Sequence, residues 1–69
     1  LVVANLTADV IVSILDDLIA CQSPKGYLIL SGILDTQEKQ VSEALTAKNQ
    51  QITDVLTAGE WISIVSVQS

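Results

Sequence analysis

Asn5 closes an apolar run, Leu1-Val2-Val3-Ala4, and the chain turns from it directly into a helical pattern at Leu6-Thr7-Ala8-Asp9. A short, unalternating β-branched run reads as a strand covered on both faces, and hence as a central one. In open α/β sheets ligands gather beyond the carboxyl ends of the parallel strands, so Asn5 is the first candidate site residue. An amide there also has a purely structural use, because Asn tolerates turn conformations and can bond its own backbone two residues on. Ser31-Gly32 ends a second apolar run, Tyr27-Leu28-Ile29-Leu30, on the same expected edge, where it would wall the same pocket. Gly32 has the alternative of being there for backbone freedom alone.

The remaining reactive side chains are few. With no His and Cys21 as the lone cysteine, an intrachain disulfide and a Cys/His zinc site are both ruled out. Cys21, on the apolar side of an expected helix, reads as a small buried hydrophobe. Asp16-Asp17, Asp35, Glu38 and Glu43 fall at helix ends or on outer faces, and no two converge as a metal site or a glycosidase-like pair would require. Trp61, the only Trp, would either stack on a substrate or anchor the sheet to a helix, and the core reading is favoured. Glu60 beside it is expected to be solvated at a turn, with contact to a basic protein substrate as the alternative.

Sixty-nine residues make one small domain, 49% apolar and only 3% aromatic, which describes an aliphatic core of the kind parallel sheets use. The net charge of −5 sets eight scattered acids against Lys25, Lys39 and Lys48, so there is no basic patch for nucleic acid. A basic protein partner suits that charge better. The apolar segments fall well short of the roughly 20 residues that span a bilayer, and no signal peptide precedes them. A soluble, cytoplasmic chain is expected.

Thr7 can N-cap a helix with Asp9 in its first turn, and Val10, Ile11, Ile14, Leu15, Leu18 and Ile19 recur at helical spacing on the inner face. Asp16 and Asp17 fall on the outer face. The helix should end near Cys21, ahead of a turn at Ser23-Pro24-Lys25-Gly26. A strand at Tyr27–Ser31 then completes a βαβ unit with two parallel neighbours. Gly32-Ile33-Leu34 is expected as a loop, Asp35-Thr36-Gln37-Glu38 as a capping box, and Val41, Ala44, Leu45 and Lys48 as the inner stripe of the next helix, the Lys stem covering apolar surface. After Asn49 the period becomes two through Ile52–Thr57, breaks at Ala58-Gly59 and resumes through Glu60–Val67, which is a hairpin. The expected order is β-α-β-α-β-β in an α/β fold.

Three segments carry a family resemblance. Val2-Val3-Ala4-Asn5-Leu6-Thr7-Ala8, Leu28-Ile29-Leu30-Ser31-Gly32-Ile33-Leu34 and Gly59-Glu60-Trp61 resemble, in order and at matching spacing, the segments that close the ribosomal protein L11 methyltransferase (PrmA) family. The resemblance runs the length of the chain. It implies the carboxyl-terminal half of a class I, Rossmann-like methyltransferase sheet, in which residues 1–69 supply the fourth, fifth, seventh and sixth strands in that spatial order. It also implies a parent enzyme that uses S-adenosylmethionine to methylate amino groups of a large-subunit ribosomal protein. The chain opens inside an element without an initiator Met, and is expected to be a fragment. The family's glycine-rich loop and ribose-binding acid belong upstream of the fourth strand; here the glycines are Gly26, Gly32 and Gly59, with no G-x-G-x-x-G. The fragment alone is therefore expected to be inactive and to bind no cofactor.

In the family, the asparagine ending the fourth strand lies in the cofactor pocket beside the transferable methyl, and the matching position is Asn5, which the resemblance thus makes both catalytic and cofactor-binding. Methyl transfer is an in-line displacement by a neutral amine, so an amide carbonyl that holds the N–H groups supplies orientation rather than bond-making. A free lysine titrates near about 10.4 and an α-amine near about 8, so a site that does not solvate ammonium favours the reactive form. The family commonly has Asn-Ile-Leu-Ala here, whereas this chain has Asn5-Leu6-Thr7-Ala8, and the site is not extended to Thr7. The turn at Ser23–Tyr27 also departs, from a commoner Lys-Pro-Gly-Gly. Two other readings remain: a small α/β interaction module that pairs through its first strand as a homo-oligomer, and another class I methyltransferase with a different substrate.

Overall fold

The computed structural model describes residues 2–23 and 26–68. Pro24 and Lys25 of the expected turn lie outside the described residues. The elements are strand β1 (Val2–Asn5), helices α1 (Ala8–Ser13) and α2 (Leu15–Ala20), strand β2 (Tyr27–Leu34), a 3-10 turn (Asp35–Gln37), helix α3 (Glu38–Ala47), and strands β3 (Gln50–Ala58) and β4 (Trp61–Gln68). They form a mixed four-stranded sheet in the order β1-β2-β4-β3. β1 and β2 are parallel, while β4 runs antiparallel to both β2 and β3.

One face of the sheet carries the helices. Ala4, Leu28, Leu30, Ile33, Ile62 and Ile64 form a single buried cluster with Ala8, Ile11, Leu15, Val41 and Leu45 from the helices. The strand residues in between point the other way, and there Val3 is 62% exposed. Among the described residues β1 is thus covered by helices on one face only, has β2 as its one neighbour and lies at the sheet edge. Its unbroken apolar character thus exceeds what the described residues bury.

The first helix is not continuous. Thr7 caps α1, its Oγ1 accepting from the Val10 amide at 3.5 Å. The chain leaves helical geometry at Ile14, with φ −113° and ψ 13°. Val10, Ile11 and Val12 are β-branched, and the Val10 carbonyl accepts both the Ser13 hydroxyl at 2.8 Å and the Ile14 amide at 3.1 Å, a shared acceptor that loosens the helical ladder there. The inner stripe nonetheless keeps its phase across the break, since Ile11 and Leu15 are both buried. Leu15 is buried, Leu18 and Ile19 are partly so, and Val10 is 42% exposed rather than on the inner face. Cys21 becomes an exposed C-cap residue, not the buried hydrophobe its spacing suggested.

β2 runs three residues past Ser31, because Gly32-Ile33-Leu34 stays in the sheet instead of leaving as a loop. Leu30 pairs with Ile64 but Ile33 with Ile62, so Ser31 and Gly32 together oppose one residue of β4. That is a β-bulge, with Gly32 at φ +81° taking the conformation L side chains avoid. Beyond it the Gln37 side chain accepts from the Leu34 amide at 3.3 Å, so the cap sits one residue earlier than the Asp35/Glu38 box. In α3, Val41 and Leu45 are buried as expected, but Lys48 is exposed and its Nζ lies 2.9 Å from Asp16 Oδ1. Gly59, at φ +63°, makes the tight β3–β4 turn. Among the described residues no helix is long and apolar enough to cross a membrane.

Candidate functional site

Asn5 sits at the carboxyl end of β1, directly opposite Ser31 of β2 in parallel register. The Leu6 amide donates to the Ser31 carbonyl at 3.2 Å, holding the two strand ends together before the chain turns into α1. Asn5 itself is exposed, on the sheet face opposite the helices. Its side-chain amide makes no hydrogen bond to any other described residue. Donor and acceptor are both available, which sets it apart from an Asn that merely folds back on its own turn.

Two hollows meet at this amide. One, of about 420 Å³, is lined by Asn5, Ser31, Gly32, Leu56, Thr57, Ala58, Trp61, Ile62 and Ser63. The other, of about 390 Å³, is lined by Asn5, Leu6, Thr7, Val10, Gly32 and Trp61. Asn5, Gly32 and Trp61 belong to both. The bulge turns Ser31 towards β4, where its Oγ lies 3.0 Å from Ser63 Oγ. No lining residue of either hollow carries a charge. The site can therefore hold and orient a ligand by hydrogen bonds and apolar contact, but offers no proton acceptor of its own such as His, Asp or Glu. Among the described residues, no group of three His, Cys, Asp or Glu side chains could hold a metal ion.

The structure brings Asn5, Ser31 and Gly32 together, and corrects Trp61. Its indole is 51% exposed and walls both hollows instead of anchoring the core. Glu60 is exposed at the hairpin turn, where its carbonyl accepts from the Asp35 amide at 2.8 Å, and it lines neither hollow. Leu56, Ala58 and Ser63 were not singled out from sequence. Their signal was the hairpin register, since Leu56 pairs with Ser63 and Ala58 with Trp61.

The family model for ribosomal protein L11 methyltransferase (PrmA) matches residues 1–69. The chain belongs to this family. Within PrmA, it is 41% identical over 66 residues to the ribosomal protein L11 methyltransferase of Desulforapulum autotrophicum, covering 96% of this chain and 22% of that one. It is 38% identical over 65 residues to the Brevibacillus brevis enzyme of the same name, covering 94% and 21%. A crystal structure of ribosomal protein L11 methylase from Lactobacillus delbrueckii subsp. bulgaricus superposes with a TM-score of 0.90 at 28% identity, over 97% of this chain and 35% of that one. This PrmA chain thus spans about a fifth of the length of the curated relatives it matches.

Proposed function

We propose that this chain is the carboxyl-terminal part of the catalytic domain of an S-adenosylmethionine-dependent protein methyltransferase, and that Asn5 lies at its methyl-transfer site. The observation that carries the reading is the Asn5 amide, which bonds no other described residue, at the end of a parallel strand where two uncharged hollows meet. In the parent sheet, β1 and β2 are the fourth and fifth strands, β4 the seventh and β3 the sixth, giving a class I, Rossmann-like half. The substrate is an amino group of ribosomal protein L11, the protein for which the relatives are named, and the activity is cytoplasmic.

The donor set suits the methyl end of such a cofactor. An amide, the hydroxyls of Thr7, Ser31, Thr57 and Ser63 and apolar carbon surround the site, with no Lys in either lining to repel a sulfonium cation. When bound, S-adenosylmethionine supplies an electrophilic methyl group. Asn5 Oδ1 accepts an N–H of the incoming amine and thereby fixes where the nitrogen lone pair points, which is orientation rather than bond-making. The uncharged walls do not solvate ammonium well, so they favour the neutral amine. Trp61 offers an apolar face to the aliphatic stem of a lysine.

Two experiments test the reading. The full-length protein containing this sequence should transfer methyl groups from S-adenosylmethionine to purified ribosomal protein L11, and no transfer would overturn the assignment. The 69-residue chain alone should show no cofactor binding by calorimetry, because the glycine-rich loop and ribose-binding acid are supplied elsewhere; micromolar affinity would contradict that division. A second reading has an observation of its own. The free edge of β1 beside exposed Val3 supports pairing between copies of this chain.

A further inference from the structure

The geometry points to Gly32 as the residue that positions the Asn5 amide, a role that rests on the reading of Asn5 as the methyl-transfer amide. A Cβ at Gly32 would lie 2.7 Å from Asn5 Oδ1, 3.0 Å from the Leu6 carbonyl oxygen and 3.4 Å from the Leu6 nitrogen. At the first distance something must shift, and what a Cβ would displace is the Asn5 amide itself. The amide oxygen therefore packs directly over the bare backbone of Gly32, in space that a side chain of any kind would occupy.

The bulge explains why Gly32 is in that place. It adds one residue to β2 opposite β4, at φ +81°, and so lifts the Gly32 backbone against the end of β1. Both sides of the lift are fixed. On one side the Ser31 and Ser63 hydroxyls are 3.0 Å apart, and on the other the Leu6 amide holds the Ser31 carbonyl at 3.2 Å. Asn5 has no hydrogen bond to another described residue that would fix its side chain. The room it points into is the space left by the missing Gly32 side chain, and both residues line both hollows. Gly32 lines both hollows but brings no side chain to them, so its effect on the reaction runs through Asn5, which makes it a positioning residue.

The test is a double-mutant cycle in the full-length enzyme, with S-adenosylmethionine and purified ribosomal protein L11, on Asn5→Ala, Gly32→Ala and the pair. Gly32→Ala should lower kcat by about tenfold to a hundredfold, as a misplaced orienting group does, with KM for the protein substrate changed far less. The pair should be no slower than Asn5→Ala alone, because Gly32 acts through the amide. Losses that multiply, or an unchanged kcat for Gly32→Ala, would overturn the inference. Full turnover in Asn5→Ala would instead remove the reading of Asn5. NMR on the unsubstituted 69-residue chain decides the contact even where Gly32→Ala does not fold. Nuclear Overhauser effects from the Gly32 Hα protons to the Asn5 side-chain amide protons are expected, and their absence would overturn the seat itself.

Discussion

Asn5 and Trp61 wall the same two hollows although a whole strand, β2, separates their strands in the sheet. What joins them is the bulge at Ser31-Gly32, which carries the Gly32 backbone to the end of β1 while keeping Leu34 paired with Trp61. The site is thus assembled from two strand ends and a hairpin, not from one motif.

Trp61 walls both hollows and is half-exposed, so the fold should depend on it less than on a buried strand residue. Trp61→Ala should cost about 1 to 2 kcal/mol, as its half-exposed ring implies. Ile64→Ala, at a position with no exposure, should cost about 2 to 5 kcal/mol through lost burial and the cavity left behind. Urea titration of the two variants checks the order, and a larger loss for Trp61→Ala would return the indole to the core. In the full-length enzyme the same indole should become less accessible to acrylamide when ribosomal protein L11 binds.

Cys21 should react with a maleimide in the folded chain at nearly the rate of the unfolded one, because it is an exposed C-cap residue. Protection by a large factor would mean that the helix continues through Ile14 and turns the thiol inward.

The uncovered sheet face and the free edge of β1 should make the 69-residue chain self-associate. Light scattering is expected to give a mass above the 7.3 kDa of one chain, and Val3→Lys should return it to that value by placing a charge on the edge strand. A monomer before the substitution would remove the pairing reading while leaving the enzyme reading intact.

These outcomes trace back to what the residues disclose locally. The succession of strands, the strand end at Asn5 and the cap at Thr7 were legible because each is written in adjacent residues. The faces were not. Ile62 and Ile64 on one side of β4 alternate with Val65 and Val67 on the other, so periodicity alone does not say whether Trp61 points to the helices or away from them. The break at Ile14 was hidden because Val10, Ile11, Ile14 and Leu15 keep helical spacing, and a Ser13 hydroxyl bond to a carbonyl leaves no trace in that pattern. Gly32 was visible as a residue with backbone freedom, but its use depends on β1 lying beside it in space.

The most direct test of the account is the turnover of Asn5→Ala in the full-length protein, measured as methyl transfer to ribosomal protein L11 beside a thermal melt of the same protein. The amide is exposed and bonds no other described residue, so the melt should stay within a few degrees of the parent while turnover falls by about tenfold or more. Unchanged turnover in a folded variant would contradict the claim that this amide orients the amine.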